Sequence, residues 1–265
     1  MNVLIINGSP KGAKGITSLI ANSFAKGLEE AGAKVTTIYT KDLKIGPCCG
    51  TLHCWEKTPG ICCKKDDMGM VLELMNETDV LVLASPVYVD GITGPLKNLL
   101  DRRIPRSLPY FELENGHCRH PLRKGVNAIK QVALISNCGF WELDNFDALL
   151  AHVKATCNNF HAEFAGALLR PHGPALPLGL KMKQQKAANV LRAAEQAGKE
   201  IAESGKMSEA AMSAVSATLM SQNLYLRIVN AFFGAQITIS KIKEVIKLVR
   251  KELSSESNTH APLLS

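Results

Sequence analysis

The chain predicts an α/β protein: a doubly wound, five-stranded parallel sheet with helices on both faces and a helical C-terminal extension. Three observations predict it. Five short apolar runs recur, each the length of a strand covered on both faces. Stretches of helical period separate them, the alternation of a parallel sheet closed by right-handed crossovers. With 265 residues, 46% of them apolar and 21% charged, the chain can bury a substantial core and carry additional structure.

Residues 3–6, VLII, are the first strand, and a break rich in turn formers, NGSPKG, follows. A helix then opens at Gly15–Ser18, with Leu19, Ile20, Phe24 and Leu28 at helical spacing. Residues 34–39 form a second strand. Residues 43–65 are irregular and rich in Cys. Asp66 and Asp67 precede a helix carrying Met68, Val71, Leu72 and Met75, with acids at its positive end. Residues 80–84, VLVLA, are the third and most apolar strand, and a helix follows from about Thr93 with Leu96, Leu99 and Leu100 as its stripe. The segment 103–130 reads as long and polar. Residues 132–135 and 164–169 are the fourth and fifth strands, on either side of a helix over 144–158. Beyond a linker-like loop at 171–179, residues 181–204 form a strong helix ended by Gly205, and a small-residue helix begins at Ser208. Residues 225–233 are apolar and aromatic. Residues 241–253 form an amphipathic helix with Ile242, Val245, Ile246 and Val249 on one side. Such a helix suits a membrane surface or packing on its own domain or a partner subunit, and its short apolar face favours packing. Residues 254–265 read as a disordered tail.

No run reaches the ~18 apolar residues of a membrane span. The start lacks the features of a secretory signal, so a cytoplasmic protein is expected. The net charge is +7 without interleaved aromatics or a nucleic-acid motif, which fits anionic cofactors or a solvated surface better than nucleic acid. Of eight Cys, five fall between Cys48 and Cys63. In that setting a disulfide framework is not expected, and reduced or metal-binding thiols are.

The chemistry is expected at the carboxyl ends of the central strands, where an open parallel sheet binds its ligands. The first loop is a place for a phosphate: Ser9, Thr17 and Ser18 bring hydroxyls to a helix N-terminus, although an ordinary βα turn reads the same way. The loops at Ser85–Gly94 and Ser136–Trp141 carry Tyr88, Phe140 and Trp141 among Gly, hydroxyl and amide groups, the mixture that a flat heteroaromatic ring needs. Taken singly, Tyr88 and Trp141 read as half-buried core aromatics; three converging loops shift the balance. No Gly-x-Ser-x-Gly elbow, metal-spaced His pair or carboxylate pair appears, which points to cofactor-borne chemistry.

With these residues in hand, the chain resembles the flavodoxin-like NAD(P)H-dependent FMN reductases, and within them the iron–sulfur flavoproteins. Six blocks carry the resemblance: Gly8-Ser9-Pro10 with Thr17; the Cys-rich segment ending at Cys62; Asp66-Asp67-Met68; Ser85-Pro86-Val87-Tyr88; Leu96 to Arg102; and Ser136 to Phe140. They span about residues 2–170. The resemblance implies an FMN site, with Ser9, Lys11, Thr17 and Ser18 on the phosphate. Pro86, Val87 and Tyr88 would border the isoalloxazine, with Asn137, Cys138, Gly139 and Phe140 on its other edge. It implies hydride passing from NADH or NADPH to the flavin and on to a quinone-like, nitro or other small-molecule acceptor, with no catalytic acid or base from the protein. It also implies a homodimer or higher homo-oligomer. A flavin electron-transfer carrier with a protein redox partner is the alternative.

The cysteine segment departs from the family's compact 4Fe–4S pattern. Thr51 stands where the second Cys belongs. A cluster would need shifted ligands, such as Cys48, Cys49, Cys54 and Cys62, with Cys63 as a substitute. A reduced or redox-active thiol group is a second reading. A metal-free loop covering the flavin or the dimer interface, with Trp55 near the flavin, is a third, and the spacing favours it over the cluster. The expected organisation is a flavodoxin-like FMN-binding domain over 1–179, a helical extension over 180–253 and a tail over 254–265.

Overall fold

The computed structural model describes residues 1–256, with side chains through residue 247. In chain order the elements are β1 (Asn2–Asn7), α1 (Ile16–Glu30), β2 (Lys34–Tyr39), α2 (His53–Glu56), α3 (Met68–Asn76), β3 (Val80–Pro86), α4 (Gly94–Asp101), β4 (Glu112–Glu114), β5 (His117–Arg119), β6 (Gln131–Asn137), α5 (Asp147–Phe160), β7 (Glu163–Arg170), α6 (Ala175–Lys181), α7 (Gln185–Ser204), α8 (Glu209–Ser216) and α9 (Gln222–Glu256).

The five expected strands form one parallel sheet in the order β2-β1-β3-β6-β7. This is the flavodoxin order, and it reverses direction between β1 and β3, where a crevice opens beyond the strand ends. Strand alternation sorts the apolar residues onto two faces. Leu4, Ile6, Leu81, Leu83, Val132 and Leu134 share a core with Met68 and Val71 of α3, Leu96 and Leu99 of α4, and Leu149 and Val153 of α5. Val3, Ile5, Val82, Ala133 and Ile135 are also buried, on the opposite face. There α1 covers the sheet, and α7 packs over α1. Two glycines permit that packing. A Cβ on Gly27 would lie 1.8 Å from the Glu195 carbonyl oxygen, and one on Gly198 would lie 2.1 Å from that of Phe24. Lys26–Glu195 and Lys199–Glu30 ion pairs flank the approach at 2.9 and 2.8 Å.

The segment 103–130 holds a β4–β5 hairpin, turned at Asn115 and Gly116 with φ of 50° and 78°. Asn-Gly suits the type I′ turn, which needs positive φ at both central residues, and was legible as such. Not all basic residues at the start of this segment are solvated: Arg103 and Arg106, like Arg102 just before them, are buried. Arg103 lies 3.6 Å from the centre of the Phe160 ring, and Arg106 donates to the carbonyls of Leu72 and Asn127.

One compact unit runs from Met1 to Leu219 and includes α7 and α8; α9 belongs to a second, from Met220 onward. Gly205 ends α7 at a φ of 78°, and the Ser208 hydroxyl caps α8 by accepting from the Ala211 amide. The expected apolar stretch at 225–233 and helix at 241–253 are one continuous helix, which reaches Glu256. The remainder of the expected tail, 257–265, lies outside the described residues. Among the described residues no helix is long and apolar enough to cross a membrane.

Candidate functional site

Beyond the carboxyl ends of β1, β3 and β6 lies an open cleft of about 540 Å³. Ser9, Lys11 and Thr17 line it from the first loop, Pro86, Val87 and Tyr88 from the second, and Asn137, Cys138 and Gly139 from the third. Nine of the eleven expected cofactor residues therefore line one cleft. Ser18 and Phe140 are not among the lining residues. Ser18 is buried, and its hydroxyl donates to the Gly12 carbonyl at 2.7 Å while accepting from Asn7 Nδ2 at 2.9 Å. It shapes the loop from behind. Phe140 turns its carbonyl inward, where the His172 amide donates to it, and leaves its ring 69% exposed.

The walls are tied to one another by buried hydrogen bonds. Asn137 Nδ2 donates to Thr17 Oγ1 at 2.8 Å, and the Asn137 carbonyl accepts from the Val87 amide at 2.9 Å. One residue thus spans all three loops. Thr93 Oγ1 donates to the Gly8 carbonyl, Ser85 Oγ accepts from the Thr93 amide, and Ser136 Oγ donates to the Ser85 carbonyl. Buried polar groups satisfied in this way fix geometry.

The end formed by Ser9, Lys11 and Thr17 is electropositive. Gly15 is the N-cap of α1 and offers no side chain to the first-turn amides. These amides, the helix dipole and the two hydroxyls favour an anion, and no acidic residue lines the cleft. A Cβ on Gly15 would come within 2.7 Å of Ser9 Oγ, so a side chain here would push that hydroxyl from its place.

A fourth wall was not foreseen. The segment read as a linker, after β7, braces the third loop: Cys138 N donates to the Arg170 carbonyl, and Gly173 N donates to the Cys138 carbonyl at 2.8 Å. Pro174 and Ile16 also line the cleft. Behind this wall the Arg170 guanidinium is fully buried and donates to the carbonyls of Val215 and Ser216, at the end of α8, and to His172 Nε2. His172 Nε2 also accepts from the Leu219 amide, and desolvation together with Arg170 lowers its pKa to about 4. His172 is therefore neutral at pH 7, stacked on Trp141 with centroids 5.9 Å apart. Burial raises the Cys138 thiol, whose S–H donates to the Phe140 carbonyl, so it is no nucleophile.

The cysteine segment forms a different site. Cys48, Cys49, Cys54, Cys62 and Cys63 all line one small pocket, together with Thr51, Lys64 and Arg102. All eight cysteines of the chain are free thiols. Thr51 Oγ1 sits between Cys49 and Cys63, 4.0 and 3.9 Å from their sulfurs. That hydroxyl is the main cause lowering the Cys49 thiol, while burial raises Cys54. Among the described residues, no three His, Cys, Asp or Glu side chains converge as ligands of one ion. The loop is held at its base. Arg102 makes two bonds to the Asp66 carboxylate, at 2.8 and 2.9 Å, and donates to the Gly46 carbonyl at 2.8 Å. Asp66 in turn accepts from the Gly46 and Met68 amides. Trp55 does not line the cleft; its indole N–H donates to the Ser107 carbonyl.

Comparison with known proteins accords with this geometry. Residues 1–116 match the family model of the NADPH-dependent FMN reductases. An iron–sulfur flavoprotein of Archaeoglobus fulgidus is 36% identical over 115 residues, which are 43% of this chain and 55% of that protein. One of Methanocaldococcus jannaschii is 36% identical over 43% of this chain and 58% of its own length. The chain thus spans about half the length of the curated relatives it matches. Among solved structures, the azoreductase AzrA superposes with a TM-score of 0.57 at 14% identity, over 76% of this chain and all of that one. A flavone reductase does so with a TM-score of 0.52 at 15% identity, over 100% of this chain and 99% of that one. At such identities these two show the fold alone. Residues 1–116, which carry two of the three strand-end loops that enclose the cleft, are thus similar to the NADPH-dependent FMN reductases.

Proposed function

We propose that the protein is an FMN-dependent NAD(P)H oxidoreductase acting on a small-molecule acceptor of quinone or nitro type. The observation that carries the proposal is the cleft at the switch point, polar and electropositive at one end and lined by Pro86, Val87, Tyr88, Cys138 and Gly139 at the other. The residues present fit FMN. Ser9, Lys11, Thr17 and the first amides of α1 are the donor set a phosphate needs, and the glycine at position 15 keeps their cradle open. Pro86, Val87 and Tyr88 would border one edge of the ring, and Cys138 and Gly139 the other. Bound FMN supplies the hydride-accepting and hydride-donating chemistry. The protein's part is to position it. Asn137 sets the spacing of the three loops, and the backbone of 86–88 and 138–139 offers groups to the ring edge. Tyr88, 52% exposed, stands at the open side, where a nicotinamide or an acceptor would enter. No acid or base is required of the cleft, which accords with its un-ionised Cys138 and with a His172 that is neutral and outside the lining.

Protein purified under anaerobic conditions should show flavin absorbance, or quench FMN fluorescence when titrated. It should bind FMN at least tenfold more tightly than riboflavin, which lacks the phosphate, and oxidise NADH or NADPH when a quinone is present. Protein that is colourless and leaves FMN fluorescence unchanged would refute the reading.

The five-thiol pocket favours a second reading, a flavin electron carrier with a protein redox partner. Five sulfurs line the pocket and a 4Fe–4S cluster needs four thiolates, but among the described residues no three of them converge on one point, so a cluster would require the loop to rearrange. Cys48, Cys54 and Cys62 with Cys49 or Cys63 would hold it, and it would supply one-electron transfer. Iron and sulfide assays on the same anaerobic sample decide this. A cluster combined with negligible NAD(P)H turnover would favour the carrier.

A further inference from the structure

α9 is a helix of 35 residues, and most of its apolar residues are exposed. They follow a register. Ile228, Phe232, Ala235, Ile239, Ile242 and Ile246 recur at alternating spacings of four and three, and Val249 and Leu253 continue the sequence pattern. In heptad terms Phe232, Ile239 and Ile246 stand at a, and Ile228, Ala235 and Ile242 at d. Arg227, Lys241, Lys243, Glu244 and Lys247 all fall off this stripe.

A seven-residue repeat is the spacing a helix keeps along its length when its partner is another helix. A lipid surface accepts any apolar arc and does not require the repeat to stay at seven, as it does here from Ile228 to Ile246. The stripe is open: Ile228 is 37% exposed, Phe232 57%, Ile239 47%, Ile242 54% and Ile246 45%. Covering it would bury on the order of 600 Å² per copy, at the lower end of what each partner gives to a stable interface. The stripe is apolar and uncharged, so it complements itself, as contact between identical chains requires. Isoleucine at both a and d favours three or four helices over two. We infer that α9 joins copies of this chain, packing along this stripe against the α9 of other copies in a short helical bundle. The inference is independent of the flavin reading.

The test uses the full-length chain. Sedimentation equilibrium is run on the wild type, on the double variant Ile239→Asp with Ile242→Asp, and on Ile237→Asp, which lies off the stripe. A fourth protein carries a photoreactive benzoylphenylalanine in place of Ile242. The wild type should self-associate, and the photoreactive group should link α9 to the α9 of another copy, as read by peptide mass. The double variant should lower the assembly mass at least twofold at equal helix content, while Ile237→Asp keeps the wild-type mass. A monomeric wild type, links that avoid α9, or equal dissociation by Ile237→Asp would overturn the inference. So would wild-type protein that sediments with phosphatidylcholine–phosphatidylglycerol vesicles at the expense of its assembled form, since that result assigns α9 to a membrane surface.

Discussion

The strand-end cleft and the cysteine loop are carried by the same sheet and built in opposite ways. In the cleft, short loops meet through buried side chains: Asn137 donates to the Thr17 hydroxyl, and Thr93 and Ser136 donate to the carbonyls of Gly8 and Ser85. In the loop, Cys48, Cys49 and Cys63 are exposed and Cys54 and Cys62 half-buried. A single buried guanidinium, Arg102, fixes both of its ends through Gly46 and Asp66. The difference shows where geometry is determined by the chain itself. The cleft is preorganised by bonds between separate loops, whereas above its clasp the cysteine loop is held mainly by local turns within 52–61, and Trp55 ties it outward to the Ser107 carbonyl.

The largest expected effect breaks that clasp. Asp66→Asn leaves the Arg102 charge buried without its carboxylate and should cost about 3 kcal/mol in urea unfolding. The five loop thiols should be alkylated faster in the native state, while FMN affinity changes less than twofold; an equal loss of FMN affinity would show that the two regions are one. The pH dependence follows from the same pair. Arg102 and the amide bonds hold the Asp66 carboxyl below its ordinary range. The clasp therefore contributes fully above that range, and its contribution is lost as pH falls through the depressed folded value.

A second effect of similar size belongs to the braced side. His172 is neutral when folded, with a pKa lowered to about 4 from 6.5. Between those values the unfolded chain takes up the proton and the folded one does not. Stability should therefore fall as pH drops from 6.5 to 4, by on the order of 3 kcal/mol. His172→Gln, which keeps an acceptor for Arg170, should flatten that slope. An unchanged slope would remove His172 from the account.

Next come the anion-facing residues. Gly15→Val places a side chain against Ser9 Oγ and should weaken FMN binding about 100-fold, or ~2.7 kcal/mol, with circular dichroism unchanged. Thr17→Val removes one hydroxyl from the cleft and the acceptor of Asn137, and should cost about tenfold. Both are read by fluorescence titration. If riboflavin binding falls by the same factors, the lesion lies in the ring site and not at the phosphate.

The sheet was legible because its evidence is local. VLII and VLVLA carry their burial in composition, and Gly205 and Ser208 mark helix ends by their own chemistry. The first and third loops were legible because turn formers and hydroxyls follow apolar strands at the place where such sheets bind. The bracing segment 170–174 was not, since its role depends on carbonyls and amides reaching Cys138 and Phe140 from 30 residues away in sequence. Ser18 was read as a hydroxyl for the phosphate at the helix N-terminus, yet the helix turns it toward Asn7 and Gly12. The Asn115-Gly116 turn stood in the sequence and was passed over within a polar stretch.

The smallest effect sharpens the comparison at the mouth of the cleft. Tyr88 and Gly91 pair across a tight turn whose central residues, Val89 and Asp90, have φ of 46° and 60°. A β-branched residue is strained there, and Val89 gains nothing by burial, being 99% exposed. Asn accepts this conformation, as turns of this type prefer. Val89→Asn should therefore stabilise the protein by about 0.5–1 kcal/mol, a rise of roughly 2 °C in Tm. FMN affinity should stay within twofold of wild type, because the walls that hold the ring are fixed from Asn137 and not from the turn. If stability rises while the KM for NADH or NADPH increases several-fold, the strained valine is a contact for the nicotinamide, and preorganisation extends from the closed end of the cleft to its rim.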